Sequence, residues 1–450
     1  MLKKATTVSE LASAFAPAPL TLEDLKDFYV DVDWERDGFL SRREEIKKKL
    51  EGTDYIKILF AGHRGSGKST ELIKLKKEIE DNSFIVSFSI MEELDINDIE
   101  YIDLIMVMME KLADRGEAEG LIPNNGKYLE TIKNWLTDVT KIKAEETGYM
   151  MEVGAGIQAN RGVLSLLIGL IAEFKASVRA SSVNKVEYRK VLDKSITILK
   201  ANCNILINEI SMALRNKGKK LLLIIEDMDK GDIAKVQNIF FNHSGILSEL
   251  NTRMIFTMSI STLTSTSRGE IKGRFDLATL PMLKVKEESG ADFGKGIQAI
   301  RKIVEKRADL SLFESGILNN MIVRSGGVLR DLFGMIEIAG TSAGFNRLSA
   351  VNGQSADYAF NRLKSKYLGT ISIGDEKEAG ITTDCLYKKL VEVCNAREKK
   401  FPLDKTMLIL LSCLAVLEYN GKQWFDIHPA VKALLHEMGK IPAEKEEVRS

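Results

Sequence analysis

Gly62-His63-Arg64-Gly65-Ser66-Gly67-Lys68-Ser69-Thr70 is the stretch on which the reading of this chain turns. It fits G-x-x-x-x-G-K-[ST] at every fixed position. Ahead of it, Ile56-Lys57-Ile58-Leu59-Phe60-Ala61 is rich in β-formers and reads as a strand. Behind it, Glu71 to Ile79 carries apolar side chains at helical spacing. A glycine loop between a strand and a helix is the context that gives this pattern meaning. Glycines let successive backbone N–H groups close on phosphate oxygens, and the helix N-terminus adds partial positive charge there. Lys68 is then the cation for the β- and γ-phosphates of ATP, and the Ser69 hydroxyl is a ligand for Mg²⁺.

The chain has 450 residues, enough for about three domains. Lys+Arg and Asp+Glu both number 64, so the balanced charge argues against a general nucleic-acid coat. Cys203, Cys385, Cys394 and Cys413 are scattered, with no C-x-x-C pair. That excludes a disulfide framework or zinc site as the organising element and fits a reducing cytoplasm. Met1 to Pro19 reads as a flexible arm rather than a secretory signal. The most apolar run, Val163 to Ala172, is shorter than a spanning helix needs and reads as a buried or partner-facing helix.

In chain order, residues 1–54 read as an arm and lead-in helices, with Ser41 capping a helix through Leu50. Arg42 sits where it would approach the base or a phosphate. Residues 55–288 read as a parallel-sheet core, with Ser83 to Ile90 as a strand and a helical insertion at about 127–217. Lys220 to Ile225 is a strand buried on both faces, ending in Glu226-Asp227-Met228-Asp229. Carboxylates at that end are placed to hold Mg²⁺ and to orient an attacking water. Arg253 to Ile260 is a further strand, and Thr257, Ser259 or Ser261 at its end could sense a γ-phosphate. Arg268 and Arg274 lie in a loop able to present an arginine to a neighbouring subunit's nucleotide. Ala278 to Val285 closes the core, at a sheet edge because of Pro281. Residues 289–368 read as a helical lid, in which Gly326-Gly327 precede a helix carrying Arg330. After a linker, the domain at 369–450 has two helices, a hairpin marked by Asn420-Gly421 and a further helix, which fits a winged helix.

These residues resemble an AAA+/STAND-type P-loop ATPase, near the branch of archaeal origin-recognition ATPases and bacterial defence ATPases. Phe39-Leu40-Ser41-Arg42 is similar to the branch's F-x-G-R motif, with serine for glycine. Gly62 to Thr70 matches Walker A, and Ile225 to Asp229 resembles the hhDDxD form of Walker B. Gly326 to Asp331 looks like the lid helix with its sensor-2 arginine, Arg330. Glu226 stands where the family usually has the metal-binding aspartate, which leaves open how Glu226 and Asp227 divide the metal and water roles. The resemblance implies an α/β P-loop fold with lid and winged helix, binding ATP and Mg²⁺ and hydrolysing ATP. It implies a homo-oligomer whose nucleotide state is passed to a partner effector or sensor protein, with anti-phage defence the expected setting. DNA binding through the winged helix and a non-hydrolysing ATP switch are the alternatives. Only Lys405 is basic in the recognition region Phe401 to Leu417, which weighs against phosphate contact there.

Overall fold

The computed structural model describes residues 2–37, 41–122, 127–147, 168–169, 171–172, 175–176, 182–263, 269, 271–371, 380–419 and 424–442. Phe39-Leu40, Gly154-Ala155-Gly156, most of the apolar run at 163–172, Arg268 and the Asn420-Gly421 turn lie outside these residues.

Five strands form one parallel sheet in the order β2-β3-β4-β1-β5. They are β1 (Lys57–Gly62), β2 (Ser83–Ser89), β3 (Lys220–Glu226), β4 (Arg253–Ser259) and β5 (Asp276–Leu280). β1 and β4 are buried along their whole length, as apolar runs without alternation require of central parallel strands. β5 is an edge and stops at Pro281, whose missing N–H cannot extend a ladder. Because β4 lies between β1 and β3, the loops leaving those two strands diverge. That opens a crevice at the carboxyl edge of the sheet, where open α/β sheets bind ligands.

The helices that position this crevice begin with α1 (Leu11–Ala14), α2 (Asp33–Asp37), α3 (Arg42–Gly52) and α4 (Lys68–Ile79), which leaves the phosphate loop. Next come α5 (Tyr101–Ala118), α6 (Lys127–Thr147), α7 (Ser182–Lys194) and α8 (Ile196–Arg215). The expected helical block is therefore helical where it is described. Its last helix is more than an insertion: Leu199, Cys203, Leu206 and Ile210 of α8 share one core with Val86, Phe88, Leu221 and Leu223 of the sheet. The buried pair of Arg189 with Asp103 ties α7 to α5.

The lid contains α9 (Gly294–Arg307), α10 (Leu329–Phe345) and α11 (Gly353–Ile371). The C-terminal winged helix has α12 (Thr383–Asn395), α13 (Lys405–Ser412), the antiparallel hairpin β6 (Val416–Tyr419) and β7 (Trp424–Ile427), and α14 (Pro429–Glu437). Lid and winged helix share a continuous core, with Val328, Leu332 and Tyr367 packed together with Val416, Leu417 and Leu435. No helix among the described residues is long and apolar enough to cross a membrane.

One expectation is corrected. The N-terminal arm is not flexible. Ala5 bonds Arg307 and Asp309 of the lid through its backbone, at 2.8 and 3.0 Å. Leu11 and Phe15 are fully buried, Phe15 edge-on to Phe333 at 5.3 Å. Val8, Leu11 and Ala14 recur every three residues and so present one apolar face to α10. Gly340 of α10 allows this close approach, since a Cβ there would lie 2.8 Å from the Leu11 Cβ.

Candidate nucleotide site

A cavity of about 290 Å³ opens at the carboxyl edge of the sheet. One end is polar, lined by Arg64, Gly65, Gly67, Lys68, Ser69 and Thr70 of the loop, with Asp227, Asp229 and Thr257. The other end is largely apolar. There Pro17 to Leu20, Phe28 and Val30 from the N-terminal segment face Ile303, Leu329 and Phe333 from the lid. Arg307 lies over the Phe333 ring at 4.5 Å and donates to the Ala14 carbonyl at 3.0 Å, fixing arm and lid together. A polar lining rich in N–H donors beside a largely apolar one suits a phosphorylated nucleoside.

The loop's geometry follows from its glycines. Gly65 and Gly67 take φ of +78° and +101°, a region that residues with a Cβ avoid. A Cβ on Gly65 would also lie 3.1 Å from the Arg330 Cβ, so the lid helix closes directly over the loop. Arg330 lines the cavity from that helix, as the sequence suggests. Gly62, at the end of β1, packs so closely that a Cβ would lie 2.8 Å from the Leu280 carbonyl.

Lys68 is buried and held by three oxygens: the Gly62 and His63 carbonyls, each at 3.0 Å, and Asp229 Oδ2 at 2.9 Å. Burial would raise the Asp229 carboxyl, but Lys68 outweighs it and keeps the group below the ordinary carboxylate range. Asp229 is thus the carboxylate that faces the loop's lysine, a residue quoted within the motif but given no role from sequence. Asp227 stands beside it, accepting from Ser89 at 2.5 Å and paired with Lys230 at 2.7 Å. Asp227 has a φ of +69°, and this left-handed step redirects the chain as it leaves β3.

Glu226 is placed differently. Along β3, Leu222 and Ile224 face Leu72 and Leu75 of α4, and Glu226 follows on that same face. Its carboxylate accepts from Lys76 at 2.6 Å and Ser87 at 3.1 Å and does not line the cavity. Arg42 is also outside: it donates to the Thr279 carbonyl at 3.0 Å and pairs with Glu45 at 2.7 Å. From this part of the chain it is Arg36, on α2, that lines the cavity. Arg274 is exposed, hydrogen-bonded to Ser244 and away from this cavity. Of the three hydroxyls considered at and just after the end of β4, Thr257 lines the cavity, and its buried Oγ1 has no hydrogen-bond partner. Ser259 and Ser261 bond each other at 2.6 Å. The buried Ser66 Oγ is likewise unpartnered. Thr257 Oγ1, an orphaned donor facing the cavity, fits an oxygen-rich ligand there.

His63 points the other way, into the winged helix. Its Nε2 accepts from the Glu418 N–H of β6 at 2.7 Å. Burial, and then the nearby Lys68 charge, pull its pKa down to about 3. The folded chain therefore refuses a proton that the unfolded chain takes up below the ordinary value of 6.5. Stability from this contact is complete above that value and falls as pH drops toward 3, by up to about 1.4 kcal/mol per pH unit. The melting-temperature advantage of wild type over His63→Gln is expected to shrink from pH 7 to pH 5. A pH-independent difference would mean that His63 titrates freely.

The wing reaches the lid as well. Asp331, next to Arg330, is buried and accepts from Tyr367 at 2.6 Å and Lys366 at 2.9 Å, with His428 Nε2 at 3.4 Å. Burial would raise this carboxyl, but His428, Lys366 and Tyr367 hold it well below the ordinary range. Tyr419 donates to the Gly326 carbonyl at 2.8 Å. Loop, lid and wing are therefore joined through residues adjacent to Lys68 and Arg330.

No family model matches the chain, and no curated protein matches it. Among solved structures it is similar to Cdc6p from Pyrobaculum aerophilum, at 11% identity and a TM-score of 0.37 over 97% of this chain and 98% of that one. It is similar to the ORC1 protein of Aeropyrum pernix in complex with DNA, at 11% identity and a TM-score of 0.34 over 90% and 94%. It is also similar to the RuvB Holliday junction branch migration motor of Thermotoga maritima, at 10% identity and a TM-score of 0.33 over 95% and 99%.

Proposed function

We propose that this chain is an AAA+-like regulatory ATPase that binds ATP with Mg²⁺, hydrolyses it, and converts nucleotide state into the position of its winged helix. The observation that carries this reading is the Lys68–Asp229 pair at the polar end of a cavity closed by Arg330. Lys68 and Arg330 bind the phosphates. Ser69 and Asp229 would hold Mg²⁺, which supplies charge neutralisation on the phosphate oxygens when bound. Asp227 and Thr257 are at hand to orient the attacking water. Glu226 takes no direct part, because Lys76 and Ser87 hold it away.

The three oxygens around Lys68 also define what nucleotide must do. A phosphate binds the ammonium by competing with these oxygens, among them the carbonyl of His63, the residue whose ring holds β6. Nucleotide exchange therefore strains the contact between loop and wing. The output passes to a partner effector or sensor, within a homo-oligomer in which Arg274 would act across subunits. Anti-phage defence is the setting that the motif resemblance favours.

DNA binding ranks second. α13, which would enter a groove, has Ser412 beside Arg64, Asp229 and Ser259 of the ATPase core, so duplex reading by that end of the helix would require the domain to move away.

ATP turnover measured against protein concentration tests the proposal. Wild type is expected to turn over with a rate per chain that rises with concentration, and Lys68→Ala to be inactive. Arg330→Ala is expected to lose about 10- to 100-fold, whereas Arg42→Ala stays within about twofold. Negligible wild-type turnover with tightly retained nucleotide would instead support a non-hydrolysing switch. Equal losses in both arginine variants would remove Arg330 from the site.

A further inference from the structure

We propose that Arg36 is a phosphate-binding residue of this cavity, contacting the diphosphate of a nucleoside di- or triphosphate beside Lys68; the inference rests on the nucleotide reading above. Three buried cations surround the phosphate loop. Lys68 has Asp229 at 2.9 Å, and Arg43 has Glu71 at 2.7 Å. Arg36 has no carboxylate within hydrogen-bond reach. Its nearest, Asp33, is 3.9 Å from Nε, also lies 3.9 Å from Arg43, and accepts from the Ser41 hydroxyl.

The hydrogen-bond partners of Arg36 are neutral. Nη2 donates to the Ser66 carbonyl at 2.7 Å, Nη1 donates to the Pro281 carbonyl, and Nε is buried with no hydrogen-bond partner. The side chain is 3% exposed and lines the cavity, and a Cβ on Gly67 would lie 3.4 Å from Nη2. The guanidinium is thus pressed against the glycine that immediately precedes Lys68. A buried guanidinium with only carbonyl partners is costly, and an anion arriving in the same cavity removes that cost. Burial also pulls its pKa below the ordinary arginine value, with Glu71 and Asp33 only partly opposing it. A planar fork with a free donor suits the oxygens of a diphosphate better than a single point charge does.

The rival role is a clasp that merely holds the loop to the segment after β5. The two roles differ in which part of the ligand feels the residue. We would titrate a fluorescent ADP analogue into the full chain and displace it with ADP, AMP and adenosine, for wild type, Arg36→Met, Arg36→Lys and Lys68→Ala. Arg36→Met is expected to weaken ADP about 10- to 100-fold while adenosine changes less than about twofold. Arg36→Lys recovers part of the ADP affinity. If ADP and adenosine weaken equally, or neither weakens, Arg36 is a clasp and the proposal is overturned. If Arg36→Met does not fold, Arg36→Lys decides: ADP must weaken while adenosine holds. Loss of ADP in Lys68→Ala with full binding in Arg36→Met removes Arg36 alone. A Lys68→Ala variant that binds ADP like wild type removes the nucleotide reading itself.

Discussion

Asp229→Asn is expected to lower ATP turnover by about 100-fold or more while nucleotide affinity stays the same or tightens. Asparagine keeps the shape and an acceptor oxygen for Lys68 at the 2.9 Å position, but removes the negative charge. Lys68 then meets the phosphates without a competing carboxylate, so binding survives. What is lost is the anion needed to hold a cation and to balance charge as the terminal phosphate bond breaks. Asp227→Asn is expected to cost less, about tenfold, because Ser89 and Lys230 already share its oxygens. Glu226→Gln is expected to stay near wild type. Steady-state phosphate release for the three variants, beside ADP titration, gives the ranking. A larger loss at Glu226 than at Asp229 would return the metal role to the position the motif suggests.

Gly327→Ala is expected to destabilise the protein by about 3–5 kcal/mol, enough to lower the melting midpoint by many degrees. Gly327 has a φ of +82°, so any side chain is strained there. Its Cβ would also lie 1.9 Å from the Leu283 carbonyl, and a backbone atom cannot swing aside. Leu283 belongs to the segment leading from β5 to the lid, so the clash pushes α10, with Arg330, away from the phosphate loop. Affinity for ADP should fall together with stability. Gly334→Ala, five residues into α10 with nothing within 4 Å of its Cβ, is the control. It is expected to be neutral or stabilising by about 0.5–1 kcal/mol. Similar melting midpoints for the two variants would mean that the approach to Leu283 relaxes at little cost.

What was legible in the sequence is what local pattern encodes. The phosphate loop, the buried strands, the edge at Pro281 and the hairpin flanking Asn420-Gly421 each depend on residues within a few positions of one another. The site residues that escaped depend on distant ones. The sequence points to Arg42 and leaves Arg36 unmarked, and it is the packing of α3 on β5 that turns Arg42 toward the Thr279 carbonyl. Asp227 looks like the better motif match, yet its left-handed backbone and the Lys68 contact favour Asp229. Glu226 was misdirected for a reason the sequence does hold: strand alternation puts it with Leu222 and Ile224, facing α4. The N-terminal arm read as flexible because Ala, Pro and Ser mask a faint three-residue apolar spacing, and its partner helix lies far along the chain. His63 gave no sign of its bond to Glu418, since nothing in a glycine loop announces a partner 355 residues away.

The arm that packs on the lid also sets an order of events during synthesis. Ala5 and Phe15 leave the ribosome early, but their partners, Asp309 and Phe333, follow roughly 300 residues later, or ~15–60 s at 5–20 residues per second. In that interval the glycine loop and its sheet can form, while the apolar lining that Leu329 and Phe333 give the cavity is not yet made. A chain that ends before Leu329 carries the full glycine motif but lacks Leu329, Arg330 and Phe333, the α10 side of the cavity. On the function proposed above, nucleotide binding would require synthesis to pass Arg330 and Phe333, and fragments that end earlier would go without the stabilisation that a bound nucleotide gives.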